Sequence, residues 1–354
     1  MRMSIIRFNT MFSIKGKRMR GSVERGNRSV VDGIEAIAVV GLCAAERRHY
    51  AMSLARDRGY VFVPAEQTAQ GIEAVDRLVD LVGMTSGVHG FVLEYREDTD
   101  CAEIIGALSA PDTRAVLTDL VCVLDLACLH GDLDSEERAG ALISQIEFAS
   151  TSALVTPDPA GSGGIEEAIG LIEHLAPEAS LFLRCEGAVH KPVCWQFGHR
   201  PPAAGWTAIL NSEFRPPAQT GGVRACRFEQ ARPFHPQRLQ AVLRAAIGEG
   251  CWGRIVRSAG FAKLASRPYV TAHWDQAGTL LTLSPLSADP LPGGGAELLA
   301  LGQDLAFIGS GLDGTGLSEA LDRAVLTDAE LLEGPMAWLE YHDEFPEWDS
   351  AHRG

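Results

Sequence analysis

Between residues 34 and 185, short continuous apolar runs alternate with longer amphipathic stretches. That alternation constrains the fold more than any other feature of the chain. A strand that is apolar at every position has no face to offer water, so it belongs in a sheet covered on both sides. Such sheets are parallel, with helical crossovers between strands. The expected strands are 37–40, 60–63, 91–93, 120–124, 153–155 and 181–183. Helical spacing over 46–56, 72–81, 102–108, 135–148 and 165–175 supplies the crossovers. The expected class is α/β, a parallel sheet with helices on both faces.

The rhythm breaks after residue 185. Pro192, Pro201, Pro202, Pro216, Pro217, Gly221 and Gly222 mark residues 186–222 as a linker. A smaller α+β domain is expected over 223–348, with strands at 223–228, 253–256, 270–274, 280–283 and 304–308. Its helices are expected at 236–246 and 317–325. Two domains suit a chain of 354 residues. Residues 1–33 read as a basic, disordered extension: eight Lys/Arg fall in the first 30 positions against one acid, Glu24.

Without the first 30 residues the net charge goes from −15 to −22, and so acidic a body repels phosphate backbones and argues against sequence-specific nucleic-acid binding. No run of 18 apolar residues exists to span a membrane. Eight cysteines are scattered without the spacing of a disulfide framework, so they read as thiols of a reducing compartment, the cytoplasm.

Several runs together resemble the CobW-like family of GTPases and metallochaperones. Gln145-Ile-Glu-Phe-Ala149 is similar to the family's helix before its base-recognition strand. The C-terminal matches are more specific: Arg232-Pro-Phe-His-Pro-Gln-Arg-Leu239, Arg257-Ser-Ala-Gly-Phe261, Trp274-Asp-Gln-Ala-Gly278, Phe307-Ile-Gly309 and Phe345-Pro-Glu-Trp348. The resemblance implies a P-loop-type GTPase domain over 34–185 and a CobW C-terminal domain over 223–348. It also implies a nucleotide site of glycines, a lysine and a magnesium-binding Ser/Thr.

Those residues are altered here. After the first strand the chain reads Gly41-Leu-Cys-Ala-Ala-Glu-Arg-Arg-His49. The family lysine falls on Arg47, its preceding glycine on Glu46 and the magnesium ligand on Arg48. A carboxylate about 5 Å from a phosphate, at an effective dielectric near 20, costs roughly 3 kcal/mol. The guanine motif aligns with Val155-Thr-Pro-Asp158, where only Asp158 remains. Glu94 and Asp125 end strands where the family carries acids. Gly41, Arg47, Glu94, Asp125 and Asp158 are therefore the remnant nucleotide site. The family's Cys-x-Cys-Cys metal motif is missing, since residues 64–90 hold no cysteine.

Cys185, His190, Cys194 and His199 offer a replacement, four donors that zinc accepts tetrahedrally. Gly309-Ser-Gly-Leu-Asp-Gly314 matches a dinucleotide fingerprint but lacks the following strand and acid, and reads as a tight loop. His235 and Arg238 open a proline-started helix and could face a partner, while Trp338, Tyr341, Phe345 and Trp348 are expected to pack as an aromatic tail. The expectation is a non-hydrolysing CobW-like interaction or regulatory protein of zinc homeostasis with a protein partner. The Pro-Phe-His-Pro-Gln-Arg-Leu run resembles an actinobacterial branch associated with recruiting a hibernation factor to ribosomes. The competing expectation is a divergent GTPase metallochaperone that binds GTP and magnesium through Arg47, Glu94 and Asp158.

Overall fold

Strand β1 (Ile34–Val40) is dry on both sides, which is why it reads as one apolar run. Ile37 and Val39 pack on Tyr50, Ala51 and Leu54 of helix α1 (Ala44–Arg58), while Ala36, Ala38 and Val40 join the core on the opposite face. The computed structural model describes residues 34–69, 77, 89–110, 113, 115–155, 164–184, 204–217, 221–288, 302–346 and 348. The basic extension and nearly all of the helix expected over 72–81 lie outside the described residues.

Strands β2 (Val61–Val63), β3 (Gly90–Glu94), β4 (Ala115–Asp125), β5 (Thr151–Val155) and β6 (Ser180–Arg184) complete a parallel six-stranded sheet in the order β2-β3-β1-β4-β5-β6. From β1 the chain leaves toward β2, and from β4 it leaves the other way, toward β5. The carboxyl ends of β1 and β4 therefore flank the sheet's topological switch point, where a crevice opens. Helix α2 (Ala65–Thr68) follows β2, and α3 (Cys101–Leu108) lies on the face opposite α1. Two helices follow β4: α4 (Leu126–Asp134), which was not expected, and then α5 (Ala139–Phe148), which lies within the helix expected over 135–148. Asp125 starts the first by capping the Ala127 amide at 3.0 Å, an N-cap that the apolar periodicity does not reveal. Helix α6 (Ile165–Leu175) follows β5.

Within the stretch expected to be a linker, α7 (Gly205–Leu210) buries Ala208 and Ile209. Beyond it, β7 (Val223–Gln230), β8 (Arg254–Ala262), β9 (Val270–Ala277), β10 (Leu280–Ala288) and β11 (Gln303–Ser310) form an antiparallel sheet in the order β10-β9-β8-β11-β7. Its outer face packs Phe228, Trp274 and Phe307 under α8 (Pro236–Leu243) and α9 (Gly314–Ala324). Its inner face, through Val223, Val256, Ala306 and Ile308, shares one core with Ile143, Ile146, Leu171 and Ile172 of α5 and α6. The two sheets thus clasp a common helical layer. At the β9–β10 turn, Gly278 (φ +58°) meets α5 so closely that an added Cβ would lie 2.7 Å from that of Ala139.

A buried ion pair crosses this layer. Arg257 donates from Nε and Nη2 to Glu147 at 2.8 and 3.3 Å, and from Nη1 to the Gln276 carbonyl at 3.1 Å. Asp275 also accepts from Nη1, and the Trp206 ring lies 6.0 Å from the guanidinium. Burial by itself would lower the Arg257 pKa; the Glu147 and Asp275 carboxylates more than offset it and hold the group charged. Arg257→Met should cost about 3–5 kcal/mol by leaving Glu147 buried alone, read as a lower urea midpoint, and adding Glu147→Leu should recover most of that loss.

The C-terminal segment packs as the aromatic spacing suggests. Phe345 is buried, Tyr341 stacks on His235 at 4.6 Å, and Arg267 lies over the Trp348 ring at 4.3 Å. Helices α10 (Asp328–Glu333) and α11 (Pro335–Trp338) lead into it. Arg238 forks onto Glu330 at 2.7 and 2.9 Å, and Glu330 closes a capping box with Thr327. The hydrogen bond from Arg238 is the main reason the Glu330 pKa falls from 4.5 to about 2. A carboxylate with a depressed folded pKa stabilises fully above its unfolded value and loses that contribution as pH falls through the folded one. The stability gap between the protein and its Glu330→Gln variant should therefore narrow between about pH 5 and pH 2, as measured by chemical unfolding across that range.

Candidate functional site

Three of the five residues expected at a nucleotide site meet at the carboxyl ends of β1 and β3. The turn from β1 into α1 is only Gly41, Leu42 and Cys43, so the helix has begun before Arg47 is reached. The Arg47 amide already bonds the Cys43 carbonyl at 3.0 Å, and amides spent in a helix cannot cradle a phosphate. Gly41 has φ +150°, and a Cβ there would sit 2.5 Å from the Val123 carbonyl oxygen. Close approach of β1 to β4 is reason enough for a glycine. Glu46 lies in the first turn of α1, where a negative charge suits the helix dipole.

Glu94, wholly buried at the end of β3, gathers the arginines. Arg47 donates from Nε to one oxygen at 3.2 Å and from Nη1 to the Gly41 carbonyl at 2.5 Å. Arg48 donates to the other oxygen at 3.1 Å, as does the Ala65 amide at 3.2 Å. The Thr68 hydroxyl holds the Glu94 carbonyl at 2.5 Å. Arg48 reaches on to Glu66 at 2.6 and 2.7 Å, and this contact lowers the Glu66 pKa and raises that of Arg48. A cavity of about 390 Å³ opens beside these groups, lined by Ala44, Arg48, Ala65, Glu66 and Arg96 among others. Arg47, at the lysine position, and Arg48, at the magnesium-ligand position, are each engaged by a carboxylate of the chain itself.

Asp125 stands apart from that network, at the end of β4, and keeps different company. Its Oδ1 caps α4, and its Oδ2 accepts from the Cys128 thiol at 3.3 Å. Cys43, just before α1, brings a second thiol across the switch point. The two sulfurs and the carboxylate oxygen all lie within 4.8 Å of one another, and all three residues are half-buried. Burial, a hydrogen bond with Cys128 and the charges of Asp125 and Asp132 push the Cys43 thiol up to about 12. Asp132 is itself taken by Arg138 at 2.7 Å. The sequence reading missed Cys43 and Cys128 as a pair. Had the N-cap at Asp125 been recognised, its i, i+3 spacing to Cys128 would have placed carboxylate and thiol on one helical turn.

Asp158 and the four-donor group Cys185, His190, Cys194 and His199 lie outside the described residues. The glycine-rich run at 309–314 is the tight loop expected: Asp313 caps α9 by accepting the Gly316 amide at 3.0 Å, after an antiparallel strand. Arg238 is spent on Glu330 and on the Val325 carbonyl at 2.9 Å. No described helix is long and apolar enough to cross a membrane.

Comparison with known proteins adds a domain match and two relatives. Residues 223–325 match the model of the cobalamin synthesis protein cobW C-terminal domain. A protein of Dictyostelium discoideum named zinc-regulated GTPase metalloprotein activator 1 is 28% identical over 235 residues, 60% of this chain and 49% of that one. A protein of Mycobacterium tuberculosis named a zinc chaperone is 28% identical over 276 residues, 69% of this chain and 65% of that one. The chain thus spans about half to two thirds of the length of these relatives. The crystal structure of Zn(II)-bound YjiA GTPase from E. coli aligns with 84% of this chain and 100% of that chain, at 12% identity and a TM-score of 0.38. Residues 223–325 thus match a CobW C-terminal domain, and the chain is similar to CobW-like proteins.

Proposed function

We propose that this protein acts in zinc handling as a non-hydrolysing CobW-like interaction protein. One observation carries the reading: the buried Glu94 carboxylate is already held by Arg47, Arg48 and the Ala65 amide. Phosphoryl transfer depends on free positive charge and a metal ion aimed at the γ-phosphate. Here the arginine at the lysine position is turned onto Glu94 and the Gly41 carbonyl, and Arg48 cannot ligate magnesium. To bind a nucleotide the chain would have to break a buried ion pair, and leaving one partner unpaired costs about 3–5 kcal/mol. That is about a hundredfold or more in affinity before any contact is gained.

Zinc enters from the names of the relatives, a zinc chaperone and a zinc-regulated activator, each 28% identical. The partner in this reading is another protein, either one that receives metal or one bound to the ribosome, as in the branch that the Arg232–Leu239 run resembles. Calorimetry of the purified full chain with GTP and magnesium should give no saturable heat up to millimolar nucleotide, and phosphate release should stay at background. Micromolar binding, with a magnesium-dependent rate lost in Glu94→Gln, would replace this reading with that of a divergent GTPase.

A further inference from the structure

We infer that Cys43, Asp125 and Cys128 form a zinc site in the switch-point crevice, with a fourth coordination position left open. Two thiols and a carboxylate converge there from two different βα turns, with all three donor atoms within 4.8 Å. A tetrahedral zinc ion with bonds of about 2.0–2.3 Å sets its donors roughly 3.3–3.8 Å apart, so the observed spread needs only small side-chain adjustments. The Cys128 to Asp125 separation, 3.3 Å, already lies in that range.

The placement brings acidic and thiol ligands together from the starts of two helices. Cys43 precedes the fifteen-residue α1 and Asp125 caps the nine-residue α4, so rigid elements position the donors. Asp125 is fixed by its bond to the Ala127 amide, which leaves Oδ2 directed at Cys128. Asp132, whose charge also acts on Cys43, is taken by Arg138, so among the described residues three donors remain. Three protein ligands with a vacant fourth position suit an ion that exchanges with an incoming ligand better than one locked into the fold. Sulfur donors select zinc over magnesium, which takes oxygen alone. On binding, both thiols lose their protons to solvent, and two thiolates with one carboxylate then surround the dication.

The inference deepens the zinc-handling reading and rests on it for the choice of metal. The nucleotide titration above does not touch these three side chains, so each can fail without the other. The test is a titration of chelator-stripped, reduced full chain with zinc against a chromophoric chelator, beside a parallel titration with cobalt(II). One equivalent should bind, and cobalt should show a thiolate charge-transfer band in the near ultraviolet. Cys43→Ser/Cys128→Ser should abolish the band and weaken zinc at least about a hundredfold, while Asp125→Asn, which keeps a capping side chain, should weaken it about tenfold. Cys185→Ser/Cys194→Ser should leave both readouts unchanged. Equal binding and equal bands in the protein and Cys43→Ser/Cys128→Ser would overturn the site. So would a loss confined to Cys185→Ser/Cys194→Ser, or no binding by the unmodified chain at micromolar zinc. Should the serine double variant fail to fold, Asp125→Asn decides, and unaltered affinity in it counts against the site.

Discussion

The buried pair between Arg257 and Glu147 is the constraint on which the rest of the architecture depends. Neither group could be left in an apolar layer alone; Glu147 comes from the helical layer and Arg257 from the antiparallel sheet. The guanidinium fixes β8 against α5 to within hydrogen-bond tolerance. It also collects the Gln276 carbonyl and the Asp275 carboxylate from the adjoining strand. Once this register is set, Val256 and Ile308 have only one way to mesh with Ile143 and Ile172. An apolar layer of that composition would tolerate sliding; a forked ion pair within it does not.

The same physics, used differently, shapes the carboxyl edge of the parallel sheet. There a buried acid is again satisfied by arginines, but both come from the helix beside it, α1. The result is a surface that holds its charges closed on one another at β1 and β3. A few residues away, between β1 and β4, softer donors gather. The crevice thus divides into a half saturated with arginine and a half rich in sulfur. Chemistry that needs a free guanidinium and chemistry that needs a thiolate are separated by the width of one strand.

Much of this was legible in the sequence, for reasons that can be stated. The parallel sheet follows from apolar runs with no polar alternation, and all six expected strands are present. The kinship of Gln145-Ile-Glu-Phe-Ala149 and Arg257-Ser-Ala-Gly-Phe261 was visible as resemblance. That they clasp each other across 110 positions was not, because a tertiary ion pair leaves no local period. Helix α4 was missed because Gly131, Asp132 and Asp134 dilute its apolar stripe, while its start is signalled by a single cap. With it went the pairing of Asp125 and Cys128. Arg47 was legible as a poor lysine; that it turns inward onto Glu94 depends on a helix beginning three residues earlier than a phosphate loop would allow.

The shared helical layer has a consequence for how this chain can be divided. Helices α5 and α6 serve as the roof of one sheet and the floor of the other, so no cut between the halves leaves both dressed. Severed before β7, the N-terminal piece would present Ile143, Ile146, Leu171 and Ile172 to water, and the C-terminal piece would present Val223, Val256, Ala306 and Ile308. Bare apolar faces of that kind drive aggregation. Despite a proline-rich boundary that looks separable, the two halves are closer to conjoined twins than to beads on a string, and neither can be studied, exchanged or evolved as a free module.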